Sequence, residues 1–175
     1  LAGSIGGWLD AVVMRIVEVL LAIPGLLLAL SIIILLGFGT TNAAIAVGIT
    51  SVATFARLSR SEVISVRRTD YVEAAFGSGG TFAAVLRRHI LPNSLTPVIA
   101  LAALQFGTAI IAISTLGFLG YGAPPPTPEW GLLIAEGRTY VGTAWWLTTL
   151  PGVVVLLVVL SANRLSHALA QAGAR

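Results

Sequence analysis

Few side chains in this chain could do chemistry. Its charged and titratable groups are ten arginines, seven carboxylates and two histidines, with neither cysteine nor lysine. The lack of cysteine excludes disulfides, thiolate nucleophiles and cysteine-based metal sites. The lack of lysine excludes a Gly-x-x-x-x-Gly-Lys phosphate loop. His89 and His167 lie far apart, and no serine, histidine and acid fall into a nucleophile–base arrangement. No catalytic residue and no metal site are expected; a membrane protease is the enzymatic alternative.

The polar residues gather instead between Asp70 and Asn93, a glycine-punctuated island between long apolar runs. Asp70 can cap a short helix whose Glu73 reaches back to the cap, and Gly77, Gly79 and Gly80 end that helix. Thr81 starts a second amphipathic stretch, with Phe82, Val85 and Leu86 on one side and Arg87 and Arg88 toward water. Pro92 stops this stretch, and Asn93 can cap the helix that follows. The result is a helix-turn-helix elbow, too charged to lie in hydrocarbon yet bounded by membrane-length segments. Such an elbow protrudes on one side of a bilayer and offers a small rigid knob to a soluble partner.

Composition says what holds the elbow. The chain is 57% hydrophobic and 10% charged, against about a quarter charged in soluble domains, so an all-α membrane protein is expected, folded as a single transmembrane domain over residues 1–175. Four spans are predicted, at about 11–36, 43–65, 94–118 and 144–163, with the elbow loop at 66–93 and a second loop at 119–143. In the first span Arg15 and Glu18 can pair at i, i+3, and Pro24-Gly25 should bend the helix. That bend either serves a translocation path or is an ordinary kink. Gly37 to Thr41 forms a turn, and Asn42 can cap the second span, whose end carries Arg57, Arg60 and Glu62. Pro97 falls in the first turn of the third span, where it is tolerated. Gln105, the strong hydrogen-bonding group near the middle of that span, either pairs with a neighbouring helix or faces the path. Gly117 to Gly131 is expected to be a stiff, extended loop, polyproline-like across Pro124 to Pro126, Leu132 to Tyr140 can form a short interfacial helix with Glu136 and Arg138 in water, and the last span is kinked at Pro151-Gly152. Tyr121, Trp130, Tyr140, Trp145 and Trp146 read as an aromatic belt.

Charge orients the chain. With the elbow cytoplasmic, Arg15, Arg57, Arg60, Arg67, Arg68, Arg87, Arg88, Arg164 and Arg175 are inside and Arg138 alone is outside, a clear positive-inside bias. The net charge of +3 therefore reads as topology, not as nucleic-acid binding. The chain opens at Leu1 without the charged start and cleavage site of a signal peptide, and is expected to be the C-terminal part of a longer protein.

Glu73-Ala74-Ala75, Gly79 six positions after the glutamate, and His89-Ile90-Leu91-Pro92-Asn93 together resemble the cytoplasmic-loop signature of the membrane subunits of bacterial ATP-binding-cassette importers. Phe118-Leu119-Gly120-Tyr121-Gly122 and Pro125-Pro126-Thr127-Pro128-Glu129-Trp130-Gly131 resemble the outer loop of the dipeptide, oligopeptide and nickel permeases of that family. The resemblance implies six spans in the whole subunit, of which this chain supplies the last four, with Leu1 to Trp8 as the tail of the second. It implies a bacterial inner-membrane location, with the elbow and C-terminus cytoplasmic. It also implies partners: a homologous permease subunit as heterodimer, two ATPase subunits that bind ATP and Mg, an extracytoplasmic substrate-binding protein, and membrane lipid. No cofactor resides in this chain. In this reading Tyr71, Val72 and Phe76 anchor the elbow on the ATPase, Ala74 and Ala75 allow close approach, and Gly79 takes a backbone conformation denied to other residues. Glu73 either caps its helix or pairs with a basic group of the ATPase. His89, Leu91, Pro92 and Asn93 fix the junction with the third span. Pro24 and Gln105 are candidates for the path, and Pro126, Glu129 and Trp130 for the binding-protein contact. The rival from another class, a secondary transporter or channel subunit with no ATPase partner, would place charged groups at the midplane of several spans; a membrane scaffold would leave the glycine-rich elbow unexplained.

Overall fold

A computed structural model describes the backbone of residues 7–173 and the side chains as far as residue 168. Among the described residues every regular element is helical. In chain order these are α1 (Gly7–Ala22), α2 (Gly25–Leu36), α3 (Thr40–Arg67), α4 (Asp70–Gly77), α5 (Phe82–Phe118), α6 (Trp130–Gly137), which runs on into a 3-10 turn (Arg138–Tyr140), and α7 (Trp146–Gly173). The expected tail of a preceding span lies outside the described residues but for Gly7 and Trp8, which belong to α1; Arg175 lies outside them too.

Three helices, α3, α5 and the part of α7 over Trp146–Ala168, are long and apolar enough to cross a membrane, and α1 with α2 makes a fourth only if the broken pair is one span. The break falls at Ile23-Pro24. Pro24 has no N–H to give the end of α1, and its carbonyl instead accepts from the Leu28 amide at 3.1 Å, which starts α2. The expected bend is thus an interruption. With 12 residues, α2 reaches about 18 Å, short of the hydrocarbon thickness of about 30 Å.

Other boundaries differ from the expected ones for local reasons. The second span begins at Thr40, and Asn42 does not cap it: its Nδ2 donates to the Leu36 and Gly37 carbonyls at 3.1 and 3.0 Å, closing the end of α2. The third span begins at Phe82, so Pro97 lies inside a helix and not in its first turn. The last runs through Pro151 to Gly173, ten residues beyond the expected 163.

The chain folds as two compact units. One contains α1, Val52–Ala102 and the end of α7 from Ser166; its core is Val63, Val72, Val85, Leu86 and Ile90, with Val66, Ala75 and Phe76 against them. In the same unit the Ser166 hydroxyl donates to the Ala100 carbonyl at 2.6 Å. The other contains Ile23–Ser51 and Ala103–Leu165; its core is Ala29, Ile33, Ala43, Ala46, Val47 and Leu116. Small residues set its helix spacing, as membrane packing favours: a Cβ on Gly107 would lie 3.4 Å from that of Ala162. Large apolar side chains cover the outside, Leu35, Ile34 and Phe106 among them, and no more than 22% of any span's most apolar window is buried. Those faces require lipid or another apolar chain.

Candidate functional site

The elbow is assembled almost entirely by local rules. After α3 the backbone turns at Thr69, whose hydroxyl donates to the Val66 carbonyl at 2.6 Å and whose own carbonyl accepts from the Val72 and Glu73 amides at 3.0 and 3.1 Å. Thr69, not Asp70, therefore holds the cap position, and no side chain caps the helix. Asp70 and Glu73 sit in its first turn, where carboxylates favour the positive helix end.

Gly79 ends α4 with φ +84°. The Gly80 amide donates to the Ala75 carbonyl at 3.1 Å and the Gly79 amide to that of Phe76 at 3.0 Å, the paired bonds of a Schellman motif with glycine at its left-handed position. The conformation expected of Gly79 is present. Gly80 has a different duty: a Cβ there would come within 2.6 Å of the Ala75 oxygen and 2.8 Å of a Val85 methyl. Thr81 then caps α5, its Oγ1 accepting from the Ala84 amide at 3.4 Å.

Pro92 does not stop the helix that follows. Leu86–Ile90 forms a π turn, the Leu91 amide donating to the Leu86 carbonyl, and α5 continues through Pro92 to Phe118. The widened turn absorbs the residue that lacks an N–H. Asn93 is no cap: its Nδ2 donates to the His89 carbonyl at 2.6 Å, while the Ser94 hydroxyl donates to the Ile90 carbonyl at 2.7 Å. The signature His89-Ile90-Leu91-Pro92-Asn93 is thus the junction between elbow and span.

Burial sorts the expected anchors. Val72 is fully buried beside Val85, Leu86 and Ile90, so it holds α4 to its own support and is closed to a partner. Ala75 and Phe76 are partly buried on the same cluster. Tyr71, at 45% exposure, stands out from the knob with its ring 6.3 Å from that of His89. Glu73, Ala74, Gly79, Leu91, Arg87 and Arg88 are exposed, and so is Phe82, although its spacing assigns it to the apolar side.

In the other loop the sequence gives no sign of an inward turn. Glu129 is half-buried, one carboxyl oxygen bonded to the Thr40 hydroxyl and the other buried without a partner. The buried oxygen lies 2.9 Å from where a Gly117 Cβ would stand and would collide with one on Gly122. A cavity of about 420 Å³ adjoins it, lined by Thr40, Ile113, Ser114, Glu129, Trp130 and Leu133. Pro126 and Trp130 are exposed. Gln105 is half-buried, and its Oε1 accepts from the Thr108 hydroxyl at 3.1 Å on its own helix.

A second feature absent from the sequence reading joins residues fifty apart. Arg60 Nε donates to both carboxyl oxygens of Asp10 at 2.8 and 3.0 Å, and Nη2 donates to Oδ2 at 2.6 Å. Arg15 and Glu18 do pair, at 3.4 Å and exposed to solvent, a kind of pair that contributes little. Among the described residues no three of His, Cys, Asp and Glu converge to hold a metal ion.

Residues 1–172 match the family described as binding-protein-dependent transport system inner membrane component. The dipeptide transport system permease protein DppC of Alkalihalophilus pseudofirmus is 43% identical over 172 residues, and the di/tripeptide transport system permease protein DppC of Pseudomonas aeruginosa 40%. The glutathione transport system permease protein GsiD of Pectobacterium atrosepticum is 38% identical. Each match covers 98% of this chain and 57% of the relative, so the chain spans somewhat more than half the length of the curated relatives it matches. With apolar helices of spanning length, an exposed elbow between two of them and a family match over nearly its whole length, the chain belongs to the inner-membrane components of binding-protein-dependent transport systems.

Proposed function

We propose that this chain forms half of the translocation path of an ATP-binding-cassette importer and that its elbow couples ATP hydrolysis in partner subunits to uptake of di- or oligopeptides. The observation that carries the proposal is the elbow itself: a two-turn helix fastened from behind by Val72, Val85, Leu86 and Ile90, presenting Tyr71, Glu73 and Ala74 outward. A knob of this kind transmits a push as a rigid body. Its fastening to both α3 and α5 delivers that push to two spans.

In this reading α1 and α2 together make the first of four spans, and the arginine distribution supports a cytoplasmic elbow and C-terminus. Two ATP-binding subunits, holding ATP and Mg, engage the elbow. A homologous permease subunit completes the path as a heterodimer, with Pro24 and Gln105 facing it, and lipid covers the remaining apolar faces. A substrate-binding protein docks outside on residues 119–143, at Pro126, Glu129 and Trp130. The names of the relatives, dipeptide, di/tripeptide and glutathione permeases, support a short peptide as cargo.

The test is a crosslink. With no native cysteine in the chain, Ala74→Cys is a single exposed thiol on the knob. In membranes holding the co-expressed partners it should be captured by an ATP-hydrolysing chain in a nucleotide-dependent manner. Modification of the thiol from the cytoplasm without capture of such a chain would overturn the proposal in favour of a transporter that needs no ATPase.

A further inference from the structure

Asp10 is the single charged residue among the described residues that is buried, at 8% exposure. Its carboxylate on α1 is held by one edge of the Arg60 guanidinium on α3, the Nε and Nη2 groups. Two N–H groups in a rigid fork on one carboxylate fix direction as well as distance. An apolar contact between two helices can slide; this one cannot slide without breaking.

The position of Arg60 matters as much as its geometry. Val63, one turn further along α3, belongs to the core that fastens α4, with Val72, Val85, Leu86 and Ile90. Residues at i and i+3 share a helix face, so the grip on α1 and the fastening of the elbow are adjacent rungs of α3. Between them lies a cavity of about 330 Å³, lined among others by Asp10, Met14, Arg60, Val63, Leu91 and Ser94. Side chains of α1 and α5 face this unfilled space, and the forked bond to Arg60 ties α1 to an elbow-bearing helix across it. The exposed Arg15–Glu18 pair stays within α1 and makes no such link.

We infer that the Asp10–Arg60 pair is the strut through which displacement of the elbow reaches α1, so that Asp10 and Arg60 are positioning residues for transport. The inference rests on the proposed coupling role of the elbow. When the ATPases move α4, α3 moves with it through Val72 and Val63, and the forked bond draws α1 along. Three helices then move where the apolar fastening alone would move two. The cavity beside the pair gives α1 and α5 room to change their spacing during that shift.

The test uses the whole transporter in proteoliposomes: this subunit in full length, its permease partner, the ATPase subunits and the binding protein, with dipeptide uptake and ATP hydrolysis read from one preparation. Asp10→Asn removes the charge; Arg60→Lys keeps the charge and loses the fork. In both, hydrolysis should stay within about twofold of the parent while uptake falls about tenfold, because the ATPases keep their grip on the elbow and α1 no longer follows. The exchange Asp10→Arg with Arg60→Asp restores the pair and should recover most of the lost uptake. Uptake unchanged in Asp10→Asn, or uptake and hydrolysis falling in the same proportion in intact complexes, overturns the inference. Should the single variants fail to assemble, the exchanged pair decides alone: assembled and transporting supports the strut, assembled and uncoupled refutes it. Failure of Ala74→Cys to capture an ATPase would instead defeat the coupling reading itself, whereas capture retained in a fully coupled Asp10→Asn transporter defeats only the strut.

Discussion

Two adjacent glycines in the elbow should fail by different amounts when given a methyl group. Gly79 has φ +84° and open space for 4 Å around the place a Cβ would take, while Gly80 would put its Cβ 2.6 Å from the Ala75 oxygen and 2.8 Å from a Val85 methyl. Gly79→Ala therefore meets only the left-handed penalty, about 1–2 kcal/mol. For Gly80→Ala neither neighbour can yield freely. Val85 is 2% exposed, and the Ala75 oxygen is the acceptor for the Gly80 amide itself. Retreat of that carbonyl loses a hydrogen bond of about 1 kcal/mol, and displacement of Val85 adds about 1–3 kcal/mol of overpacking. The sum is roughly 2–4 kcal/mol, with tenfold for each 1.4 kcal/mol. Amide hydrogen exchange over residues 75–86 in the assembled transporter reads this directly. Protection should fall about fivefold to thirtyfold in Gly79→Ala and about thirtyfold to a thousandfold in Gly80→Ala. Gly79→Asn should do better than Gly79→Ala, since asparagine visits the left-handed region more readily. If Gly79→Ala proves as damaging as Gly80→Ala, the close approach at Gly80 does not govern the turn and the reasoning fails.

Other perturbations separate the elbow from its junction and from the outer loop. Ile90→Ala empties a fully buried position of the elbow core and should cost about 2–5 kcal/mol, seen as faster exchange in α4 with α7 unchanged; a loss confined to α7 would refute the core assignment. Asn93→Ala leaves the His89 carbonyl without its 2.6 Å donor at about 1 kcal/mol. Asn93→Asp sets a carboxylate against that carbonyl and should lower the melting temperature of the complex further, a ranking that an N-capping Asn93 would reverse. Gly122→Ala fills the niche of the Glu129 carboxyl and should release the bond to Thr40. It should raise protease cleavage in residues 119–143 as Thr40→Ala does, and the double variant should be no worse than the stronger single one; additive cleavage would show that the two act apart.

What the sequence made legible was whatever a few neighbouring residues decide. Gly79 ends α4, Thr81 caps α5, and a short helix covers Leu132 to Tyr140, because turn geometry and capping act within one or two turns of chain. Of the five aromatics read as a belt, Trp130, Tyr140, Trp145 and Trp146 are exposed, whereas Tyr121 packs against the core that holds Ile33 and Leu116. Where two local rules competed, the weaker signal won. Pro92 argues for a stop, yet the π turn before it already rearranges the hydrogen-bond ladder, so the missing N–H ends nothing. Asn42 and Asn93 read forward as caps, and both donate backward, to the carbonyls of Leu36, Gly37 and His89; an amide that caps by accepting can equally close by donating. Long-range pairs left no trace. Nothing near Asp10 announces Arg60, and nothing near Thr40 announces Glu129, eighty-nine residues away.

The elbow's rigidity is borrowed. An isolated helix of eight residues such as α4 is far below the length that holds in water, about 12–15 residues, so its order comes from Val72 seated among Val63, Val85, Leu86 and Ile90. These belong to α3 and α5, and the knob therefore cannot turn on its own hinge; it moves only with the helices that fasten it. The two connections differ in kind. Toward α3 the chain passes through one turn bonded at Thr69 and an apolar contact at Val63. Toward α5 it passes through a π turn braced by Asn93 and Ser94 side chains, where a shift of one residue in the ladder needs no loss of helix. Displacement of α4 should thus enter α3 as a rigid translation and enter α5 through the one turn whose register can change.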